Sequence, residues 1–212
     1  MESPELGEEL ERMADEDSTV RQRLLAAGQL LGGYNPEMRA VHRRNGDRLE
    51  EILDQTAGWL GYRLVGEAGS EAAFLIAQHD IANPNLIRRV RQLYAAAVDN
   101  ADADPRRLAN LEDRIRYFEG RPQWYGTHVG WDTDGQFGPW PPVEEPDGVD
   151  ERRGRLGLPP LAEAINTAGQ GRTLRRVVEE VLDEHRQAAE FAKQAGWRGD
   201  ESAQSTAEQD HG

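Results

Sequence analysis

Residues 83–120 read NPNLIRRVRQLYAAAVDNADADPRRLANLEDRIRYFEG and show the clearest periodicity in the chain. Apolar side chains recur there at steps of three and four residues, as they do on one face of an α-helix. Asn83-Pro84 and Asp104-Pro105 each begin such a segment, because proline suits the first helical turn and disfavours a helical conformation of the residue before it. We predict two helices, with Leu86, Val90, Leu93, Tyr94 and Ala97 on the apolar face of the first and Leu108, Leu111, Ile115 and Phe118 on that of the second.

Toward the N-terminus, apolar periodicity predicts three further helices. The first extends from about residue 6 to residue 31, and the second from about residue 46 to residue 59. Residues 59–66 are too few and too rich in glycine for a helix, so we expect a structured connection there. Ser70 then caps a third helix, which carries Phe74, Leu75, Ile76 and Ile81.

Toward the C-terminus, residues 121–148 break the helical pattern with aromatic and β-branched side chains on both sides of Asp134-Gly135. This composition predicts a β-hairpin with arms at residues 124–131 and 136–140. The predicted fold class is therefore mainly α, a helical domain with a small β-hairpin insertion around residues 122–141. Further helices are predicted at about Asp150–Arg155, from Pro159-Pro160 through Ile165, and at about Thr173–Ala195.

The negative charge is concentrated at the two ends of the chain. Of the net charge of −14, residues 1–17 carry −7 and residues 198–212 carry −3, which leaves −4 for the remainder. Polar, acidic ends of this composition cannot bury enough apolar surface to order themselves. We therefore expect an acidic disordered N-terminus at residues 1–9, a single helical domain at residues 10–196 and a disordered acidic tail at residues 197–212.

Composition also excludes several classes of protein. The chain has no cysteine, so it has no disulfide, thiolate nucleophile or cysteine-ligated metal. It shows no basic stripe for nucleic acid, no signal peptide and no apolar run of membrane-spanning length. Among its basic residues only Lys193 is a lysine, which is typical of GC-rich bacterial genomes. We expect a soluble bacterial protein of the cytoplasm that binds neither nucleic acid nor membrane, and the sequence leaves its oligomeric state open.

No phosphate-loop, dinucleotide, metalloprotease or nucleophile-elbow motif is present, so no cofactor is indicated. What remains is a series of short polar clusters. They are Asp17 with Arg21, Val65-Gly66, Gln78-His79, Asp113-Arg114, the stretch Gly120–Thr127 that contains Pro122-Gln123 and Tyr125-Gly126-Thr127, and Arg152-Arg153 leading into Gly157-Leu158-Pro159-Pro160-Leu161. Their order, over roughly residues 10–165, resembles a bacterial domain family of unknown function. At His128 that family often has glutamine, and the resemblance implies no reaction.

His79 is the candidate catalytic residue. It lies one helical turn after Leu75, on a face that leans toward the core. Imidazole is the side chain whose usual pKa suits proton transfer near neutrality, so His79 is a candidate general base or acid. The alternative is a packed histidine whose hydrogen bonds are satisfied by a neighbour.

Asp113 and Arg114 are adjacent in sequence, but their side chains are expected to point to different sides of the helix. On the apolar face of the predicted helix, Arg114 lies at the edge and can reach inward, whereas Asp113 lies nearly opposite. Arg114 is therefore a candidate anchor for a carboxylate or phosphate, against the alternative of an ion pair at the rim of the core. For Asp113 the expectation is an exposed helix charge, unless a second layer of structure covers that face.

Five further residues are candidate ligand-binding residues. Gln123, Tyr125 and Thr127 alternate, so on a strand their polar groups would share one face; the alternative is a hairpin that packs its aromatic residues on the helices. Arg152 and Arg153 are either the exposed start of a helix or a clamp for an anion. We expect no metal site, because the conceivable set His79, Asp80, Asp113 and His128 contains no pair with a recognised ligand spacing.

Two functions fit these residues, and the sequence does not decide whether the protein is an enzyme. The first is a small enzyme that binds an anionic ligand with Arg114, Arg152 and Arg153, orients it with Gln123, Tyr125 and Thr127, and transfers a proton with His79. The second is a non-catalytic module that uses the aromatic hairpin to bind a protein or peptide. A purely structural domain is a third reading.

Overall fold

The computed structural model describes residues 3–30, 34–56, 58–170 and 178–198. Helices dominate these ranges, and one two-stranded antiparallel hairpin interrupts them, so the predicted fold class is confirmed. A 3-10 turn at Pro146–Gly148 links the hairpin to the helix that follows. The elements are α1 Pro4–Ala26, α2 Pro36–Thr56, α3 Tyr62–His79, α4 Pro84–Asp99, α5 Pro105–Glu119, β1 Val129–Trp131, β2 Phe137–Pro139, α6 Val149–Arg155, α7 Leu161–Gly169 and α8 Val178–Gln194.

The five helices α1 to α5 together enclose the hydrophobic core, and α8 packs on α5. Its centre is Tyr94 of α4, whose ring lies 4.9 Å from that of Trp59 and 5.7 Å from that of Phe74. At Gly7 the backbones of α1 and α3 approach closely, since a Cβ there would lie 2.5 Å from the carbonyl oxygen of Val65. Each fully buried Leu, Ile or Phe contributes about 1.5–3 kcal/mol by leaving water. These side chains fix the positions of the first five helices.

The helices α4 and α5 begin where the sequence predicts. The side chain of Asn83 accepts a hydrogen bond from the backbone N–H of Leu86 at 3.1 Å, and that of Asp104 accepts one from Arg106 at 3.0 Å. Gly120 ends α5 with φ of 73°, a left-handed conformation that glycine adopts without strain. Asn83 and Asp104 therefore cap the helices that follow them, in addition to the prolines that predicted the two starts, whereas Ser70, the predicted cap of the third helix, lies inside α3.

Two helices begin earlier than predicted. α2 begins at Pro36, ten residues before the predicted start at Gly46, because the side chain of Asn35 accepts hydrogen bonds from the backbone N–H groups of Glu37 and Met38. α3 begins at Tyr62, inside the segment predicted to be a connection. Its glycine-rich start is accommodated by a break at Gly66, where φ is 79° and ψ is 171°.

Ordered structure extends past both predicted domain boundaries. Residues 4–9, which the sequence places in a disordered N-terminus, form the first turns of α1, because Gly7 and Leu6 pack against the rest of the helical core. Trp197, predicted to begin a disordered tail, is buried and stacks on Phe118 at 5.2 Å. Residues 199–212 lie outside the described part of the chain. No helix within that part is both long and apolar enough to cross a membrane.

The hairpin is shorter than predicted. β1 and β2 pair antiparallel with Val129 opposite Pro139 and Trp131 opposite Phe137. Residues 124–127, predicted to belong to the first arm, form a loop that lies on α5. This difference decides the role of the polar residues in that loop.

Candidate functional site

A pocket of about 600 Å³ opens between α1, α2, α3 and α5, and we call it the polar pocket. Apolar residues such as Met38, Leu75 and Ile81 form part of its wall. The polar side chains are contributed by separate elements, so the folded chain brings together residues that are far apart in sequence. They are Asp17, Ser18 and Arg21 of α1, Tyr34 and Asn35 before α2, His42 of α2, Gln78 and His79 of α3, and Arg114 of α5.

A carboxylate and two imidazoles meet in the polar pocket. Oδ2 of Asp17 lies 2.9 Å from Nδ1 of His79 and 3.0 Å from Nε2 of His42. Nδ1 of His42 lies 2.6 Å from the hydroxyl of Tyr34. Asp17 and His42 are 2% and 6% exposed, whereas the side chain of His79 is 21% exposed. His79 is therefore the member of this cluster that a ligand can reach.

Burial and neighbouring groups act in opposite directions on Asp17. Burial raises the pKa of its carboxyl group, but the imidazoles of His42 and His79 outweigh burial and hold the pKa well below its usual range. Asp17 is therefore ionised at neutral pH and can only accept hydrogen bonds. Nδ1 of His79 must then carry the proton that Asp17 accepts, so the lone pair of the neutral tautomer lies on Nε2.

Asp17 and His42 occupy positions that the helix periodicity assigns to the core. In α1 the buried side chains include Leu10, Ala14, Asp17 and Leu24, at helical spacing. In α2, His42 and Asn45 lie between the buried Met38 and Leu49. A charged or polar residue at such a position is the signal that reveals a buried site. His42 lies four residues before Gly46, the predicted start of that helix, so it was not among the predicted site residues.

Arg114 enters the polar pocket without a partner. Its side chain is half-buried, and its Nε atom is fully buried and has no hydrogen-bond partner among the described residues. Within the same residues, no carboxylate forms an ion pair with its guanidinium group. Burial lowers the pKa of Arg114 to about 10, so the group remains charged at neutral pH. A buried cation without a counter-ion is costly, and an anionic ligand would relieve that cost.

Asp113, next to Arg114, serves a different purpose. Its carboxylate is fully buried and accepts hydrogen bonds from the backbone N–H groups of Trp124, Tyr125 and Thr127 at 2.7, 3.0 and 2.8 Å. The hydroxyl of Thr127 donates a fourth bond at 2.9 Å. The loop at residues 124–127 is the second layer that covers this face of α5, so Asp113 is not an exposed helix charge.

The side chain of Gln123 also forms its hydrogen bonds with the backbone of this region. It is fully buried, and its amide N–H groups donate to the carbonyl oxygens of His128 and Pro141 at 2.8 and 2.7 Å. Its amide oxygen accepts from the N–H of His128 at 2.8 Å. Gln123 and Thr127 therefore hold the base of the hairpin in place, and neither lines the polar pocket.

Arg152 and Arg153 direct their guanidinium groups at backbone carbonyls. Arg152 donates to the carbonyl oxygen of Trp124 at 2.9 Å, and Arg153 donates to those of Tyr125 and Pro159 at 2.6 and 2.7 Å.

Tyr125 is half-buried outside the polar pocket, and burial raises the pKa of its phenol. Of the predicted site residues, the structure thus brings together only His79 and Arg114, and it adds Asp17, His42 and Tyr34.

The tryptophans of the hairpin region all pack within the molecule. Trp124 lies under the guanidinium groups of Arg116 and Arg152, at 4.9 and 4.4 Å. Trp131 packs edge-on against Phe137. Trp140 stacks on His185 of α8 at 4.5 Å. None of the three is exposed.

His128 is held neutral, and this predicts a pH-dependent stability. Burial, with a smaller contribution from the charge of Arg114, lowers the pKa of His128 from 6.5 to about 3. Between these values the unfolded chain takes up a proton that the folded protein does not. The free energy of unfolding therefore falls as the pH drops below 6.5, by up to about 1.4 kcal/mol per pH unit. Urea unfolding at pH 7, 6 and 5 measures how the free energy of unfolding depends on pH, and this dependence should be weaker in His128→Gln than in the wild type. The same dependence in both proteins would refute the buried neutral state of His128.

The comparisons with known proteins agree with the resemblance seen in the sequence. The model of one family, described as a family of unknown function (DUF6624), matches residues 4–175, which is more than half of the chain. No curated protein and no solved structure matches.

Proposed function

The chain belongs to the family DUF6624, and we propose that it is a small enzyme that acts on an anionic small molecule in the polar pocket. The observation that carries this proposal is that one pocket holds two groups: the guanidinium group of Arg114, which forms no ion pair with any described residue and whose Nε atom is buried and unpaired, and the imidazole of His79, which is oriented by the carboxylate of Asp17. Arg114 binds the anionic group of the ligand. His79 exchanges a proton with it.

The charges of the polar pocket support an anionic ligand. Among the described residues that line it, Arg21 and Arg114 contribute two guanidinium groups, and Asp17 contributes the one carboxylate. Guanidinium binds carboxylate and phosphate through two parallel hydrogen bonds, which fixes the orientation of the ligand as well as its charge. Arg21 is exposed at the rim of the pocket, so it can attract an anion that Arg114 then holds.

The Asp17–His79 pair supports proton transfer. A carboxylate that accepts from Nδ1 fixes the tautomer of the ring and stabilises the imidazolium that forms when Nε2 takes up a proton. Nδ1 of His79 is bonded to Asp17 at 2.9 Å, and the partly exposed ring lines the pocket. Gln78, which also lines it, supplies an uncharged hydrogen-bonding group beside His79.

A peptide-binding role for the aromatic hairpin has no comparable support. It would need an exposed apolar patch, whereas Trp124, Trp131 and Trp140 each contact other side chains of this chain.

Thermal-shift measurements with matched pairs of metabolites test the anionic ligand. Each phosphate ester is compared with its alcohol and each carboxylic acid with its amide. We expect one or more anions to raise the Tm of the wild type, by roughly 5–10 °C at 100 times Kd, and the uncharged analogues to have no effect. Arg114→Gln should abolish the shift, because the anion loses its counter-ion.

The matched control is Arg12→Gln, which removes an exposed guanidinium group from α1, 3.8 Å from Glu8. It should leave the shift unchanged. Equal shifts with charged and uncharged members of a pair, or an undiminished shift in Arg114→Gln, would contradict the proposal.

A further inference from the structure

We propose that Asp17, His42 and His79 form a binding site for a divalent transition-metal ion such as Zn²⁺. The three residues lie on α1, α2 and α3, and their ligand atoms are all within 4.8 Å of one another. This proposal deepens the proposed function, because it assigns a cofactor to the same pocket. The role of the metal depends on the proposed function, whereas the binding of the metal does not.

The separations suit a small cation. Metal–ligand bonds of about 2.0–2.2 Å to His and Asp in a tetrahedral site place neighbouring ligand atoms roughly 3.4 Å apart. Oδ2 of Asp17 lies 2.9 Å from Nδ1 of His79 and 3.0 Å from Nε2 of His42. Outward shifts of a few tenths of an ångström would bring both of these pairs to that spacing, and the ligand atoms of the two imidazoles lie within 4.8 Å of each other.

Two buried polar atoms of this cluster lack a partner within the described chain. They are Oδ1 of Asp17 and Nε2 of His42, on side chains that are 2% and 6% exposed. Nε2 of His42 is 3.0 Å from the carboxylate, yet its orientation gives no hydrogen bond. Buried polar atoms are almost always paired, and a metal ion would satisfy both at once.

Tyr34 supports His42 in the manner of an outer-shell partner. Its hydroxyl lies 2.6 Å from Nδ1 of His42 and donates toward the carbonyl oxygen of His79 at 3.4 Å. If the hydroxyl proton points to that carbonyl, Nδ1 of His42 must be the donor to Tyr34. In that tautomer Nε2 of His42 has no proton to donate to Asp17, and a metal ion bound to Nε2 and to the carboxylate would take the place of such a hydrogen bond.

Two imidazoles and one carboxylate indicate a borderline-soft metal. Imidazole suits Zn²⁺ and Fe²⁺, whereas Mg²⁺ and Ca²⁺ prefer oxygen ligands. Three protein ligands leave coordination positions open, as in catalytic sites. The bound ion would leave the cluster with a net positive charge, which favours the anionic ligand held by Arg114. With the metal bound, Nδ1 of His79 would be a ligand instead of a donor to Asp17, and the ion would supply the acid–base chemistry through its open coordination positions.

Metal binding is tested on the untagged full-length chain by calorimetric titration with Zn²⁺ and by the visible spectrum with Co²⁺. We expect one equivalent of either metal to bind and Co²⁺ to give the intense bands of a four- or five-coordinate site. His42→Gln should weaken Zn²⁺ binding by more than about 100-fold, since loss of an outer-shell partner alone costs about 10- to 100-fold. His185→Gln on α8 is the matched control and should bind as the wild type does.

If His42→Gln does not fold, Tyr34→Phe replaces it, because it keeps all three ligands and should weaken Zn²⁺ binding by about 10- to 100-fold. The metal site is overturned if the wild type binds no equivalent of Zn²⁺ tightly, or if His42→Gln and the wild type bind Zn²⁺ with equal affinity. That result leaves the Arg114-dependent binding of anions untouched. Conversely, a metal that binds equally to the wild type and Arg114→Gln, without any anion-dependent shift, supports the metal site and overturns the proposed ligand.

Discussion

Replacing His79 with Gln is expected to lower turnover by about two to four orders of magnitude, the usual contribution of a positioned acid–base group. Glutamine keeps a hydrogen-bonding group for Asp17, but it cannot take up a proton near neutral pH. The assay follows conversion, by NMR, of those anions that raise the Tm of the wild type. The loss is expected whether His79 transfers the proton itself or holds a metal ion.

The control for this substitution is His185→Gln. His185 stacks on Trp140 outside the polar pocket, so its replacement should leave turnover unchanged. The anions should still bind to His79→Gln through Arg114. Near-normal turnover in His79→Gln would remove His79 from the catalytic machinery, and a wild type that binds these anions but converts none would make the protein a binding protein.

Replacing Asp113 with Ala is expected to destabilise the fold by about 3–5 kcal/mol. The substitution leaves three backbone N–H groups and the hydroxyl of Thr127 without an acceptor, in a place that the loop keeps from water. Each unpaired buried donor costs about 1–3 kcal/mol, and part of the cost is recovered as the loop loosens. The Tm should fall by roughly 10 °C or more.

The matched control is Asp99→Ala, because Asp99 is an exposed carboxylate in the last turn of α4. Its replacement should change the free energy of unfolding by less than about 0.5 kcal/mol. Urea unfolding of both variants gives the comparison. Equal stabilities would mean that the loop at residues 124–127 does not depend on Asp113.

Local signals explain why α4 and α5 could be predicted from the sequence. An Asn-Pro or Asp-Pro start, an apolar stripe and, for α5, a terminal glycine all lie within about 18 residues of one another. The same signal was present at Asn35-Pro36 and marks the true start of α2. The predicted start at Gly46 is wrong, because this glycine lies inside the helix and serves packing: a Cβ there would lie 2.3 Å from the carboxylate of Asp80.

The site was only partly predictable, because periodicity describes one helix at a time. It placed Arg114 at the inner edge of its helix, and the structure places Arg114 in the polar pocket. It could not show that a loop 11 to 14 residues further along would cover Asp113. The roles expected for Gln123, Thr127, Arg152 and Arg153 assumed a strand and an exposed helix start. Their hydrogen-bonding groups instead bind the backbone and Asp113 in a folded loop.

The most direct test of a catalytic anion site is a crystal structure of the protein with the anion that stabilises it most. We predict that the anionic group lies within hydrogen-bonding distance of the guanidinium group of Arg114. The atom that gains or loses a proton should lie close to Nε2 of His79, or to a metal ion held by Asp17, His42 and His79. An anion bound elsewhere, with Arg114 still unpaired and the polar pocket empty, would contradict the account.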